Sequence, residues 1–225
     1  MNETTKPSAI SDRSGVTDAV RAQILATEHW SLLATRSITW SEIFSRATMF
    51  ITVLSAAVVA IALVAQATDF GPGARLFALL VLPVVLLVGV VTYFRLGEAN
   101  SSDIGLVIGM NRLRHAYLEL APELEPYFTT AHHDDLASII ETYGPGLRYS
   151  VGRVLGGTPA LVAIINVVVA GVVAALAAEA LGVRDLAVVA VGVVAAVVMA
   201  GAQATLVARA MRQGRREYVP RFPKP

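Results

Sequence analysis

Two short patches carry side chains able to do chemistry. His132-His133-Asp134-Asp135 places two imidazoles and two carboxylates in succession, and His115 lies one helical turn before Glu119. Brought together, these six would supply a nitrogen and oxygen donor set suited to zinc, manganese or iron. Their spacing argues against it. Neither HExxH nor ExxH occurs, and adjacent residues on a helix point about 100° apart, so His132 and His133 do not readily share one ion. Asp134 and Asp135 are explained without a metal, as acids in the first turn of a helix capped at Thr130. His115 reads as a hydrogen-bonded histidine. No metal and no cofactor is expected.

Other catalytic patterns are missing too. The chain has no cysteine, which excludes thiol nucleophiles, Cys-ligated zinc, iron–sulfur clusters and disulfides. There is no P-loop, and no serine is flanked as a nucleophile elbow. Gly105 and Gly109 sit in a helical pattern without the strand a dinucleotide fingerprint needs, and mark a close helix–helix crossing instead. The expectation is a protein that is not an enzyme.

The patches belong to a polar stretch, Arg95 to Arg153, that holds eight of the 17 acids and three of the four histidines. A helix is expected to enter it from the preceding apolar run and continue to about Ala121. Leu106, Met110, Leu113, Tyr117 and Leu120 form an apolar stripe at intervals of four and three along this helix. That stripe is the expected interaction surface, covered by the N-terminal helix, by another helix of the stretch or by a second subunit. Pro122 and Pro126 bound a turn. A helix of about twelve residues follows, with Leu136, Ile139, Ile140 and Tyr143 as its buried face and Gly144-Pro145-Gly146 as its stop.

The flanking sequence is that of a membrane protein. The chain is 55% hydrophobic and 16% charged, and its apolar residues are gathered in uncharged runs at 47–68, 76–94, 154–178 and 186–208. Each run is long enough to cross a ~30 Å hydrocarbon core. The fold class expected is all-α: a polytopic membrane protein with four transmembrane helices in two hairpins and a small cytoplasmic helical module. The segments are a disordered N-terminus (1–15), a cytoplasmic amphipathic helix (16–46), a first hairpin (47–95), a cytoplasmic helical segment (96–153), a second hairpin (154–208) and a basic cytoplasmic tail (209–225). Met1 to Gly15 has no apolar stretch of its own, so the first span is expected to act as the insertion signal.

Charge sets the orientation. Five Lys and Arg precede the first span, five lie in the middle stretch and six follow the last span, whereas Arg75 and Arg184 stand alone in the two short connectors. By the positive-inside rule both termini and the middle stretch face the cytoplasm of an inner (plasma) membrane. Arg209, Arg212, Arg215 and Arg216 are expected to contact anionic lipid, with the tail beyond them on the headgroups; no nucleic-acid partner is expected.

Several positions carry finer expectations. The N-terminal helix starts at Thr17-Asp18, with Trp40 and Phe44 at headgroup level and Trp30 buried against the middle stretch. Phe70-Gly71-Pro72-Gly73 is a turn, and Pro83 kinks the second span. Thr158-Pro159 opens the third. Ala170, Ala174 and Ala178, facing Gly192, Ala196, Ala200 and Ala204, give two small-residue rows for close helix packing. Asn166 and Gln203 lie at similar depth and are expected to hydrogen-bond to each other, and Glu179 to pair with Arg184 at the outer end.

The stretches Glu28-His29-Trp30-Ser31-Leu32-Leu33-Ala34-Thr35-Arg36-Ser37 and Gly109-Met110-Asn111-Arg112-Leu113-Arg114-His115-Ala116-Tyr117-Leu118-Glu119-Leu120-Ala121-Pro122-Glu123-Leu124-Glu125-Pro126 resemble a family of uncharacterised bacterial integral membrane proteins. The resemblance implies location, not activity. In layout alone, the first half is similar to the SLATT-type two-helix effector domains of bacterial conflict systems, which implies assembly and membrane permeabilisation; the second hairpin departs from that pattern. The function expected is a non-enzymatic scaffold or accessory membrane subunit that presents its cytoplasmic helices to a protein partner or a second copy. The alternatives are a homo-oligomeric pore or small transporter and, behind it, a metal-dependent membrane enzyme.

Overall fold

The computed structural model describes residues 16–144, 157–184 and 186–225, with Arg215 described by its backbone only. The expected disorder of 1–15, and Pro145 and Gly146 of the expected helix stop, lie outside the described residues. Among those described the chain is all-helical, with no strand. Helix α1 is Asp18–Ala67 and α2 is Pro72–Leu120. A 3-10 turn at Pro122–Tyr127 leads to α3, Leu136–Tyr143. Two further helices, α4 (Thr158–Ala180) and α5 (Leu186–Glu217), complete the described residues.

Four helices, α1, α2, α4 and α5, are long and apolar enough to cross a membrane. Only 11% to 28% of the residues in their most apolar windows are buried inside the protein. So much contiguous apolar surface is foreign to a monomer in water and normal for helices bathed in lipid.

Local chemistry accounts for the ends of these helices. Thr17 caps α1 by accepting the Val20 N–H at 3.4 Å. Asp69 and Phe70 both have positive φ, 46° and 55°, as the chain turns sharply from α1 into α2. The run of α2 continues through Pro83. Helix α3 starts later than expected. Asp135, not Thr130, is its cap, and its side chain accepts the Ser138 N–H at 3.1 Å. The α4 cap is Gly157, one residue before the expected Thr158.

The described residues fall into two compact units, one from Trp40–Ser101 and Tyr149–Val219, the other from Met1–Thr39, Ser102–Arg148 and Pro220–Pro225. In the first, Ile43, Phe50 and Ala57 of α1 pack with Val85 and Leu96 of α2 and Val162 of α4. Arg75 pairs with Glu179 at 3.1 Å. Glu179 therefore takes its partner from the start of α2 rather than from Arg184, the neighbour in sequence.

Helices α4 and α5 meet where side chains vanish. A Cβ on Gly171 would lie 3.0 Å from the Gly192 carbonyl oxygen, and a Cβ on Gly192 would lie 3.0 Å from that of Gly171. Ala196 and Ala175 flank the crossing. The α5 row is the one expected from the spacing, but the α4 row is Gly171 and Ala175, one residue on from Ala170, Ala174 and Ala178. Ala170 and Ala178 are buried, yet glycine permits the closer backbone approach and so sets the crossing point.

The expected amide pair is not made. Asn166 and Gln203 are both buried, and neither side-chain amide has a hydrogen-bond partner among the described residues. Asn166 instead points at Gly89 of α2, where a Cβ would lie 2.0 Å from its Oδ1. The amide fills the space left by the missing side chain of that glycine, beside the Phe50 ring.

Candidate functional site

The site is built in the second unit, on the C-terminal half of α2 and what packs against it. Two turns of α2 present Asp103, Val107, Met110 and Asn111 to the interior, and all four are buried. The spacing of four, three and one keeps them on one helical face. Across from them stands α1, whose Leu32 methyl would lie 2.9 Å from a Cβ on Gly109 and whose His29 ring stacks on Tyr117 at 6.0 Å. Gly109 thus marks a close crossing as expected. Gly105 does not, since nothing lies within 4 Å of its Cβ position.

The expected apolar surface is in part covered by α1, through Leu32 at Gly109 and His29 at Tyr117. Met110 is buried, and Leu106, Leu113, Tyr117 and Leu120 are each partly buried. Trp30, expected to be buried against the middle stretch, is 71% exposed. His29, Leu32 and Arg36 occupy the inward face of α1 at intervals of three and four, which turns Trp30 about 100° away from it.

Asp103 anchors the first polar cluster. Its Oδ1 accepts from Arg36 Nε at 2.7 Å, and its Oδ2 accepts from the Tyr143 hydroxyl at 2.6 Å. The Arg36 guanidinium also lies over the Tyr143 ring, 5.5 Å from its centre. Burial, followed by the hydrogen bond and negative charge of Asp103, pushes the Tyr143 hydroxyl far above its ordinary pKa. The hydroxyl is a fixed donor, not a proton carrier.

Asn111 anchors the second cluster. Its Nδ2 donates to the His133 carbonyl at 2.9 Å, while its Oδ1 receives Arg114 at 2.8 Å and the Thr142 hydroxyl at 3.0 Å. One side chain so ties α2, the connector and α3 together. Burial and the nearby Arg36 lower the pKa of Arg114, and burial and Arg114 lower that of His29.

Asp134 anchors the third. This wholly buried carboxylate accepts from Arg112 Nε at 2.8 Å and from the backbone N–H groups of Arg221 and Phe222 at 2.9 and 2.8 Å. Asp135 accepts the Lys224 N–H at 3.0 Å. Burial alone would raise both carboxyls. For Asp134 the Arg221 N–H, the Arg112 side chain and the Phe222 N–H outweigh it; for Asp135 the Ser138 N–H and hydroxyl and the Lys224 N–H do so. Both acids are held below the usual carboxylate range. The terminal residues, expected on lipid headgroups, are docked here instead.

The histidines gather but do not chelate. The rings of His132 and His133 lie 4.3 Å apart, and that of His115 lies 5.7 Å from His133 and 6.4 Å from His132. His115 Nε2 is 3.8 Å from Glu119, and Phe222 packs on the His115 ring at 4.5 Å. Burial, then His133, lowers the pKa of His132 against the pull of Glu125. Among the described residues no three His, Asp or Glu converge as a metal ion requires. Asp134 and Asp135 are already committed to the tail and the α3 cap.

Sequence reasoning passed over Arg36, Asp103, Asn111 and Phe222. A signal existed for Asp103 and Asn111, which stand in helical register with Val107 and Met110; it was masked by treating isolated polar residues as solvated. For Phe222 no periodicity exists to read. No protein-family model, curated protein or solved structure matches the chain.

Proposed function

We propose that this chain is a four-span inner-membrane protein of two hairpins, and that its second unit is a cytoplasmic docking module of a non-enzymatic scaffold or accessory subunit. The charge distribution supports the orientation: Arg75 and Arg184 are the only Lys or Arg of the two connectors. The internal commitments of Asp103, Asn111 and Asp134 support a structural use of the polar residues. Each already holds two or more partners among the described residues.

The observation that carries the reading is the outer face of α1. Trp30 is 71% exposed, and Ile24 and Ile38 are 60% and 69% exposed, on a helix whose other face is committed to α2. Large exposed apolar side chains around a tryptophan are the makings of a binding hot spot. Arg209, Arg212, Arg215 and Arg216 extend α5 past its apolar run, and in this reading they rest on anionic lipid.

A photo-crosslinker at Trp30, compared with one at Tyr127 on the connector, tests the module. Crosslinks to one defined protein or to a second copy, lost when Ile38→Asp is added to the same protein while insertion persists, are expected. Equal, diffuse labelling from both positions would end this reading. The oligomeric pore remains the second reading, because the amides of Asn166 and Gln203 are buried without partners among the described residues. Ion flux across vesicles holding the purified protein separates the two: the docking reading expects none.

A further inference from the structure

The last residues of the chain lie in a site that fits an extended peptide. Phe222 N–H donates to Asp134 Oδ1 at 2.8 Å, and Asp134 N–H donates back to the Phe222 carbonyl at 3.2 Å. Arg221 and Lys224 add one backbone N–H each, to Asp134 and Asp135. The one position between these donors, Pro223, has no N–H to satisfy. Recognition is almost wholly through the backbone, for the side chains of Arg221 and Lys224 are exposed. The Phe222 ring, half-buried against His115 at 4.5 Å, is the aromatic side chain seated in the site.

The sequence of the tail suits it for this use. Val219-Pro220-Arg221-Phe222-Pro223-Lys224-Pro225 has three prolines. Proline fixes its own φ and biases the residue before it to extended backbone. The segment therefore loses little conformational freedom on docking, the usual advantage of proline-rich ligands. On the receiving side, two carboxylates face backbone donors, and the basic side chains that flank Phe222 sit in their field.

We propose that the loop carrying Asp134 and Asp135 is a binding site for extended, basic, proline-flanked segments with one aromatic anchor, and that the chain's own residues 220–225 close it as a displaceable strap. The occupant at rest is the tail of the same molecule. A segment of the same chemistry takes its place when present at sufficient concentration. The inference does not depend on the apolar face of α1, and its test does not touch that face.

The absence of native cysteine allows a direct test on the full chain. A Pro225→Cys variant carries a nitroxide label in detergent micelles, and a synthetic peptide of residues 219–225 is titrated against it. The label is expected to be immobilised without peptide. A short tether gives an effective concentration on the order of mM, so half-release is expected at about mM peptide. A peptide with Phe222→Ala should need about tenfold more. A mobile label without peptide would show that the tail does not dock. A label that stays immobile under saturating peptide would show a permanent structural element, and either result overturns the proposal.

Discussion

Arg36 and Asp103 are 67 residues apart in the chain and meet at 2.7 Å, with the carboxylate 1% exposed and the arginine side chain 24% exposed. An ion pair this dry is held less by its own attraction than by the cost of leaving one member alone. Arg36→Met keeps the length of the side chain and removes the charge. It should destabilise the second unit by about 3–5 kcal/mol, the range seen when a buried pair loses one partner. Arg36→Met with Asp103→Leu should recover much of that loss. Urea unfolding in detergent, followed by protease resistance of the unit, gives both values; a double variant no better than the single one would mean that the pair holds more than charge.

The Tyr143 hydroxyl donates to the same carboxylate at 2.6 Å. Tyr143→Phe removes one charge-assisted hydrogen bond and leaves the ring beneath Arg36. A loss of about 1.5–3 kcal/mol is expected, smaller than for Arg36→Met. Equal losses would show that hydroxyl and guanidinium act as one network, which the double-mutant cycle would report as strong coupling.

Acid should release the tail late. Asp134 and Asp135 are both held below the usual carboxylate range by the donors around them, with burial opposing. A carboxyl whose pKa is depressed in the docked state contributes fully above its undocked value, about 4, and that contribution fades as pH falls through the depressed value. The label at position 225 should therefore stay immobile from neutral pH down to about 4 and gain mobility only below that. Release already at about pH 6 would show that the two carboxylates do not control docking.

How far each of these features could be read from sequence depends on the range of the physics behind it. The four helices long and apolar enough to cross a membrane were legible because lipid demands about twenty consecutive apolar residues, a local and one-dimensional constraint. The α5 half of the glycine crossing was legible for a related reason, since a spacing of four is local. Trp30 was misread because α1 is apolar on two faces, and nothing in its own sequence says that His29, Leu32 and Arg36 own the inward one. Asp103 was passed over because a lone acid on a helix is usually solvated, and its partner Arg36 comes from another helix. The docking of Phe222 on Asp134 could not be read at all. It joins the Phe222 backbone N–H to a carboxylate 88 residues away, and backbone donors are the same for every residue but proline.

Gly89 and Asn166 offer a test inside the apolar unit. A Cβ on Gly89 would lie 2.0 Å from Asn166 Oδ1 and 2.8 Å from the Phe50 ring. Gly89→Ala should therefore cost about 1–3 kcal/mol through overpacking. Adding Asn166→Ala removes the nearer obstacle and should restore part of the loss, the remainder being owed to Phe50. A Gly89→Ala protein that melts like the parent would place the amide elsewhere.

Gln203 is the sharpest probe of what lies outside the chain. Its side chain is 7% exposed, and both of its amide atoms are buried without a partner among the described residues. Such a group carries a desolvation cost of about 1–3 kcal/mol that an apolar side chain of similar size avoids. Gln203→Met should then raise the melting temperature of the detergent-solubilised protein. The opposite result has a definite meaning. If Gln203→Met lowers stability, the amide must bond to something outside the described residues, and the dependence of that loss on protein concentration narrows the source. A loss that grows with concentration belongs to contacts between copies, which is the assembly a pore would need; one independent of concentration belongs to water, to lipid or to another part of the same chain.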